Sequence, residues 1–168
     1  MTQNNTPPKK RVLLIDDNLD LLETLSEFLE TKYQMKSFTG AQEALTFLEQ
    51  NLDIDLIICD YTMPMMSGAD FLRNLRKNGL LIPIIFLTGN VSLELAREAL
   101  RLGAMDILDK PLHPQTLMDI AERVLLLEEA RETFYHDREL GSNKKNKMLG
   151  ILLSGNSERS KRVEGGEN

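Results

Sequence analysis

The chain has 168 residues, of which 42% are hydrophobic and 27% charged, and its formal net charge is −6 at pH 7. This composition predicts one globular domain with enough additional chain for a short tail, and the negative charge argues against nonspecific binding to nucleic acid or membranes. No apolar run is long enough for a signal peptide or a membrane span, and the single cysteine, Cys59, cannot form an internal disulfide. We therefore expect a cytoplasmic protein.

Short apolar runs alternate with helical patterns along the chain. The predicted strands cover residues 11–15, 33–38, 55–59, 82–87 and 106–109. Apolar residues at helical spacing predict helices over residues 19–30, 41–50, 69–77 and 93–102, and a fifth helix that opens near Pro114. Ser67 and Asp70 resemble a capping box, and Gly79 and Gly103 follow the third and fourth helices, where a terminal glycine is expected.

The alternation of strands and helices predicts an α/β fold with a doubly wound, five-stranded parallel sheet. Right-handed crossovers between parallel strands place helices on both faces of such a sheet. The first and third runs alternate little between apolar and polar residues, as is typical of central strands. Ligands of this architecture bind at the carboxyl ends of the strands, so the residues there are candidates for function.

Polar side chains stand at the carboxyl ends of four of the five predicted strands. They are Asp16 and Asp17 after the first, Asp60 after the third, Thr88 after the fourth and Lys110 after the fifth. Because parallel strands end at one edge, we expect three carboxylates to converge there and to repel one another. A hard divalent cation with oxygen ligands would offset that repulsion, and Lys110 supplies further positive charge.

Each of these residues also has an ordinary structural interpretation. Asp17 or Asn18 could cap a helix, and Thr88 could cap the fourth helix. Asp60 could begin a turn, and Lys110 could be a solvated surface lysine. The placement of all of them at strand ends nevertheless favours a shared site.

Four separated motifs resemble those of the receiver domain of two-component response regulators. They are DD at 16–17, DYTMPMMSG at 60–68, LTG at 87–89 and DKP at 109–111. The family implies a flavodoxin-like sheet with strand order 2-1-3-4-5 and a cis peptide bond between Lys110 and Pro111. It also implies a phosphorylation-controlled protein that accepts a phosphoryl group on Asp60 from a histidine kinase.

The resemblance implies a role for each matched residue. Asp60 would be the nucleophile and phosphoacceptor, and Thr88 and Lys110 would contact the phosphoryl oxygens. The implied ligands of the cofactor Mg²⁺ are Asp16, Asp17, Asp60 and the backbone carbonyl of Thr62. The protein would catalyse transfer to its own Asp60 only, with no separate enzyme domain.

One position departs from the family pattern. Three residues before the lysine the family usually carries Tyr or Phe, and this chain carries Ile107. An aliphatic side chain cannot report its rotamer through a ring or a hydroxyl. The predicted switch begins when Thr88 donates to a phosphoryl oxygen, and its coupling to the fourth and fifth helices would then pass through backbone shifts.

The chain beyond the resemblance is short of apolar residues. We predict a flexible segment over residues 1–9, a receiver domain over 10–130, and over 131–168 an extension of the last helix followed by a flexible tail. A stand-alone receiver would signal through protein contacts or phosphorelay. Its expected partners are a sensor histidine kinase or phosphotransfer protein, a downstream protein, and a second copy bound through the fourth and fifth helices.

Two other classes of protein share parts of this pattern. Phosphatases of the haloacid-dehalogenase type need a second aspartate two residues after the nucleophile, where this chain has Thr62. A phosphate-independent interaction module on the same fold would not need the acidic set, and Ile107 keeps that alternative open. A nucleotide-binding protein would need a glycine-rich loop after the first strand, which the sequence lacks.

Overall fold

The computed structural model describes residues 8–160, with side chains described for 8–136 and for Arg138. The elements in chain order are β1 (Arg11–Ile15), α1 (Leu19–Glu30), β2 (Gln34–Phe38), α2 (Ala41–Leu48), β3 (Leu56–Asp60), α3 (Gly68–Lys77), β4 (Ile84–Thr88), α4 (Leu93–Arg101), β5 (Asp106–Asp109) and α5 (Pro114–Ser160). The predicted alternation is confirmed, and the boundaries of β1, α1 and β5 are those predicted.

The five strands form one parallel sheet in the order β2-β1-β3-β4-β5. The predicted doubly wound fold and its strand order are therefore confirmed. In the register of the sheet, Ile15 lies opposite Cys59, and Thr88 lies opposite Asp109. The strand order reverses between β1 and β3, so the ends of these two strands flank the position where ligands of such folds bind.

Apolar side chains pack against both faces of the sheet. One cluster joins Leu13, Ile57 and Phe86 to α2, α3 and one residue of α4. The other joins Val12 and Ile58 to α1 and the first turns of α5. All five residues of β3 and all five of β4 are buried, as continuous apolar runs predict. Each fully buried Leu or Ile stabilises the fold by about 1.5–3 kcal/mol relative to exposure.

Polar side chains cap the starts of α1, α3 and α4. Asn18 accepts a hydrogen bond from Leu21 N at 3.2 Å at the start of α1. Ser67 accepts one from Asp70 N at 3.1 Å at the start of α3, as the capping pattern predicts. Ser92, and not Thr88, caps α4. The simple capping interpretation therefore holds for Asn18 but does not account for Thr88.

Helix α4 is the helix of the sheet domain with the least buried surface. Ala99 is the single buried residue among its nine, whereas α1 and α2 each bury three and α3 buries five. Leu93 and Leu100 of α4 are exposed. Few buried contacts mean that α4 can shift at a lower free-energy cost than its neighbours.

Helix α5 continues to Ser160, beyond the point at which the sequence predicts a flexible tail. Gly141, Gly150 and Gly155 lie within this helix, although each costs a helix about 1 kcal/mol relative to alanine. Residues 8–126 belong to one compact unit, and a second unit begins at Leu127. In this second unit the Arg138 guanidinium lies 5.5 Å from the centre of the Phe134 ring. The predicted flexible N-terminal segment lies almost wholly outside the described residues, as does the end of the tail from residue 161.

Among the described residues, no helix combines the length and apolar character required to cross a bilayer.

Candidate functional site

The carboxyl edge of the sheet brings together the side chains of Asp16, Asp17 and Asp60. One carboxylate oxygen from each lies within 4.8 Å of those from the other two. Asp16 directly follows β1 and Asp60 ends β3, so the pairing of these neighbouring strands sets the distance between them. Asp16 is 1% exposed and Asp60 6%, whereas Asp17 is exposed. The predicted convergence of three carboxylates is present.

Backbone amides in the loops after β1 and β3 orient the two buried carboxylates. Asn18 N donates to Asp16 Oδ1 at 3.0 Å, and Thr62 N donates to Asp60 Oδ1 at 3.2 Å. Thr62 thus lies beside Asp60 and contacts it through its amide. The role of its carbonyl as a metal ligand stays a prediction.

Lys110 lies between the two buried carboxylates. Its Nζ is 2.5 Å from Asp16 Oδ2 and 3.2 Å from Asp60 Oδ2. The peptide bond between Lys110 and Pro111 is cis, as predicted. The lysine backbone is also fixed to the neighbouring strand, because Lys110 N donates to Thr88 O at 2.7 Å. The solvated-surface interpretation of Lys110 is wrong, since its side chain forms a charge pair with buried groups.

The pKa values of Asp60 and Lys110 follow from two carboxylates that share one ammonium group. Burial raises the pKa of Asp60 above its ordinary value, the Thr62 amide and Lys110 lower it, and the charge of Asp16 raises it again. Burial lowers the pKa of Lys110. Asp16 and Asp60 raise the pKa by more than burial lowers it, so the net shift is upward. Three carboxylates and one ammonium leave a formal charge of −2 at the edge. Oxygen donors with this excess of negative charge fit Mg²⁺.

Thr88 completes the edge at the end of β4. Its side chain is buried, and its Oγ1 accepts a hydrogen bond from Asn90 N at 3.3 Å. Asp60 lies opposite Leu87 in the sheet, so Thr88 is one residue beyond the position level with Asp60. All four strand ends named from the sequence thus supply side chains to one edge.

Ile107 lies opposite Phe86 in the pairing of β4 with β5. It is partly buried and packs on the apolar cluster beneath α2 and α3. An aliphatic residue in this place gives packing and no side-chain hydrogen bond.

Cys59 precedes Asp60 in β3 and is fully buried. Burial raises the pKa of its thiol, and the charges of Asp60 and Asp16 raise it further. A protonated, buried thiol is chemically inert, so this cysteine is a core residue.

Sequence reasoning missed two residues next to the edge, Gly68 and Tyr61. A Cβ on Gly68 would lie 2.6 Å from the backbone oxygen of Asp60 and 2.8 Å from Cε1 of Phe86. The glycine therefore lets the start of α3 approach the end of β3. The hydroxyl of Tyr61 donates to Glu98 Oε2 at 2.8 Å, across to α4. The position of Gly68 at the start of a helix was a usable signal for the close approach. No sequence pattern marks the contact of Tyr61 with α4.

The replacement Gly68→Ala is expected to lower the free energy of unfolding by about 1–3 kcal/mol, because the added methyl group overpacks the contact with β3. Urea denaturation measures the change. Gly89→Ala is the matched control, since nothing lies within 4 Å of a Cβ built there. Equal unfolding free energies for the two variants would contradict the close approach at Gly68.

Comparison with known proteins agrees with this geometry. A model of the family described as "Response regulator receiver domain" matches residues 12–122. The two-component response regulator ORR3 of Oryza sativa subsp. indica is 30% identical over 128 residues, covering 74% of this chain and 98% of ORR3. The phosphoglycerate transport system transcriptional regulatory protein PgtA of Salmonella typhimurium is 31% identical over 115 residues, or 68% of this chain and 28% of PgtA.

A solved structure of the Vibrio cholerae chemotaxis protein CheY4 has a TM-score of 0.65 and 31% identity, covering 69% of this chain and 98% of CheY4. The chain thus spans nearly the whole length of ORR3 and CheY4 but just over a quarter of PgtA. The matched segment contains every residue of the acidic edge. The chain belongs to the response regulator receiver domain family of two-component signalling.

Proposed function

We propose that this protein is a response regulator whose Asp60 accepts a phosphoryl group from a sensor histidine kinase or a phosphotransfer protein. The observation that carries the proposal is the convergence of buried Asp60 with two further carboxylates and the Lys110 ammonium. Burying a charged group costs several kcal/mol per ion before ion pairs and hydrogen bonds offset it. A protein-interaction module that does not bind phosphate gains nothing from burying these carboxylates together. The phosphate-independent alternative is therefore not favoured.

Receiver domains bind Mg²⁺ in their acidic pocket, and the acidic edge is present in this chain. We propose Asp16, Asp17, Asp60 and the backbone carbonyl of Thr62 as the ligands. When bound, Mg²⁺ neutralises charge on the phosphoryl oxygens and orients the group for in-line transfer.

The residues of the chain divide the remaining work of transfer. A carboxylate oxygen of Asp60 attacks the phosphorus, the bond from phosphorus to the donor breaks, and an aspartyl phosphate results. Lys110 already contacts Asp60 and would neutralise charge that builds on the phosphoryl oxygens. The hydroxyl of Thr88 would donate a hydrogen bond to a phosphoryl oxygen. The protein would catalyse this transfer to its own Asp60.

The output of the protein would be a protein contact or onward phosphorelay. Exposed Leu93 and Leu100 on α4 support a surface that binds another protein. We propose a downstream partner or a second copy of the chain, bound through α4 and the first turns of α5. We propose no direct partner among nucleic acids or membranes, and a cytoplasmic location.

Incubation with acetyl phosphate and Mg²⁺, followed by intact-mass spectrometry and peptide mapping, tests the proposed function. We expect one added phosphoryl group on the peptide that contains Asp60 and none when a chelator is in excess. An unmodified chain under saturating acetyl phosphate and Mg²⁺ would overturn the proposal.

We further propose that the receiver domain covers residues 10–130 and that residues beyond about 140 are dispensable for phosphorylation. Every residue of the proposed site lies between Asp16 and Lys110, and the compact unit ends at Leu126. Truncation after Leu140 should change the free energy of unfolding by less than about 0.5 kcal/mol and should leave Asp60 labelling intact. Urea denaturation and mass spectrometry check both. Loss of either property would mean that residues beyond 140 support the domain.

A further inference from the structure

A polar network attaches the weakly buried helix α4 to the rest of the domain. Glu98 of α4 accepts a hydrogen bond from the Tyr61 hydroxyl at 2.8 Å and pairs with Arg73 of α3. Arg73 is held in turn by Asp70, at 2.7 Å. Glu98 directly precedes Ala99, the one buried residue of the helix. We call Tyr61, Glu98 and Arg73 the Tyr61 network.

Tyr61 is the residue directly after Asp60, and the fold fixes its position closely. Its amide donates to Leu87 O at 2.7 Å, and its carbonyl accepts from Gly68 N at 2.9 Å. Its ring packs edge-on against Phe86, with 5.3 Å between ring centroids. A displacement of the loop after Asp60 that breaks these backbone contacts would move the Tyr61 hydroxyl relative to α4.

The Tyr61 hydroxyl donates to Glu98 Oε2, so one side-chain hydrogen bond joins the residue after Asp60 to α4. Ile107, at the position where the family usually has an aromatic residue, offers no comparable polar contact. The hydrogen bond from Tyr61 to Glu98 therefore connects the loop after Asp60 to α4.

We propose that the Tyr61 network holds α4 in the unphosphorylated protein and releases it when Asp60 is phosphorylated, which makes Tyr61 a positioning residue for the switch. The inference rests on the proposed function of Asp60. A phosphoryl group on Asp60 would displace the hydrogen bond from Thr62 N to Asp60 Oδ1, which is the contact of the carboxylate with the loop that begins at Tyr61. The hydroxyl of Tyr61 then loses Glu98, and α4, with one buried residue, becomes free to take a second position.

Hydrogen exchange of residues 93–101, with and without beryllofluoride on Asp60, tests the inference in the full chain. Tyr61→Phe removes the hydroxyl and keeps the ring that packs on Phe86. Glu98→Gln keeps an acceptor oxygen for Tyr61, and Glu98→Leu removes it. Tyr135→Phe is the control, because Tyr135 is an exposed tyrosine of α5 outside the network. Acetyl phosphate labelling and urea denaturation of each variant establish that it folds and accepts phosphate.

In the unsubstituted chain, beryllofluoride should speed exchange in α4. In Tyr61→Phe and Glu98→Leu, exchange should already be about fivefold faster without beryllofluoride, the ratio set by a hydrogen bond of about 1 kcal/mol, and should respond little to it. Glu98→Gln should restore most of the response, and Tyr135→Phe should behave as the unsubstituted chain.

Two results separate the possible failures. A chain that takes up no phosphoryl group on Asp60 overturns the proposed function and the coupling with it. A chain that is labelled on Asp60, but whose α4 exchange is the same in Tyr61→Phe as in the unsubstituted protein, overturns the coupling and leaves the proposed function standing.

Discussion

Replacing Asp60 with asparagine is expected to abolish phosphorylation by acetyl phosphate. The amide has nearly the shape of the carboxylate, so the loop after β3 should keep its path. It lacks the ionised oxygen that attacks phosphorus, and it withdraws one charged ligand from the acidic edge. Intact-mass spectrometry after incubation with Mg²⁺ and acetyl phosphate measures the loss. Asp20→Asn is the matched control, because Asp20 is an exposed aspartate in the first turn of α1.

The same replacement should leave the protein at least as stable at neutral pH in the absence of divalent cations. Burial raises the pKa of Asp60, so the folded protein holds its proton more strongly than the unfolded chain does. Folding stability must then fall as the pH rises from the ordinary pKa of an aspartate through the raised pKa of Asp60. The amide side chain of the Asp60→Asn variant does not titrate, so the variant does not lose stability over this pH range.

A phosphoryl label that persists in Asp60→Asn would assign the phosphoacceptor to another residue, with Asp16 and Asp17 as the nearest carboxylates.

Replacing Lys110 with methionine is expected to slow phosphorylation of Asp60 by about 10²–10³-fold, the usual cost of one preorganised group that stabilises developing charge. Methionine keeps most of the volume of the lysine stem and removes the ammonium that lies 3.2 Å from Asp60 Oδ2. The initial rate of labelling at saturating Mg²⁺ measures the effect. Lys77→Met, at an exposed lysine near the end of α3, is the control. Equal rates in the two variants would remove Lys110 from the proposed site.

Stability gives a second readout for Lys110→Met. Without the ammonium, Asp16 and Asp60 stay buried beside each other with no cation between them, and their repulsion destabilises the folded state. The midpoint of urea denaturation should therefore fall without divalent cations. It should recover in part when Mg²⁺ is added, because a ligand that binds the folded state stabilises it. A midpoint that ignores Mg²⁺ would contradict cation binding at this edge.

The fold could be predicted because its determinants repeat along the chain. Alternating strand and helix patterns fix the connectivity, and buried-type runs such as β1 and β3 identify the centre of the sheet. The acidic edge followed from the same rule, since parallel strands deliver their last residues to one place. Asp16, Asp60, Thr88 and Lys110 are each defined by a strand end, which the sequence marks well.

The remaining features depend on distances between elements, which no local pattern encodes. The contact of Tyr61 with Glu98 joins residues 37 positions apart and requires the spacing between the loop after β3 and one turn of α4. The tight approach at Gly68 depends on how α3 meets Phe86. The continuation of α5 differs for another reason. Gly141, Gly150 and Gly155 predict an end to the helix, but a glycine costs a helix only about 1 kcal/mol, so propensity alone is a weak guide to where a helix ends.

The burial of Cys59 gives the protein an internal probe of its own opening. The sequence holds this one cysteine, and it lies fully buried in β3 between β1 and β4. A thiol reagent can reach it only when the central strands separate, so the rate of thiol modification reports the population of open molecules. Any ligand that binds the carboxylates Asp16, Asp17 and Asp60 in the folded protein should slow the modification of Cys59, and the decrease in rate should grow with the fraction of protein bound. Binding at Asp60 can thus be followed through its neighbour in the chain, with no residue replaced and no phosphate transferred.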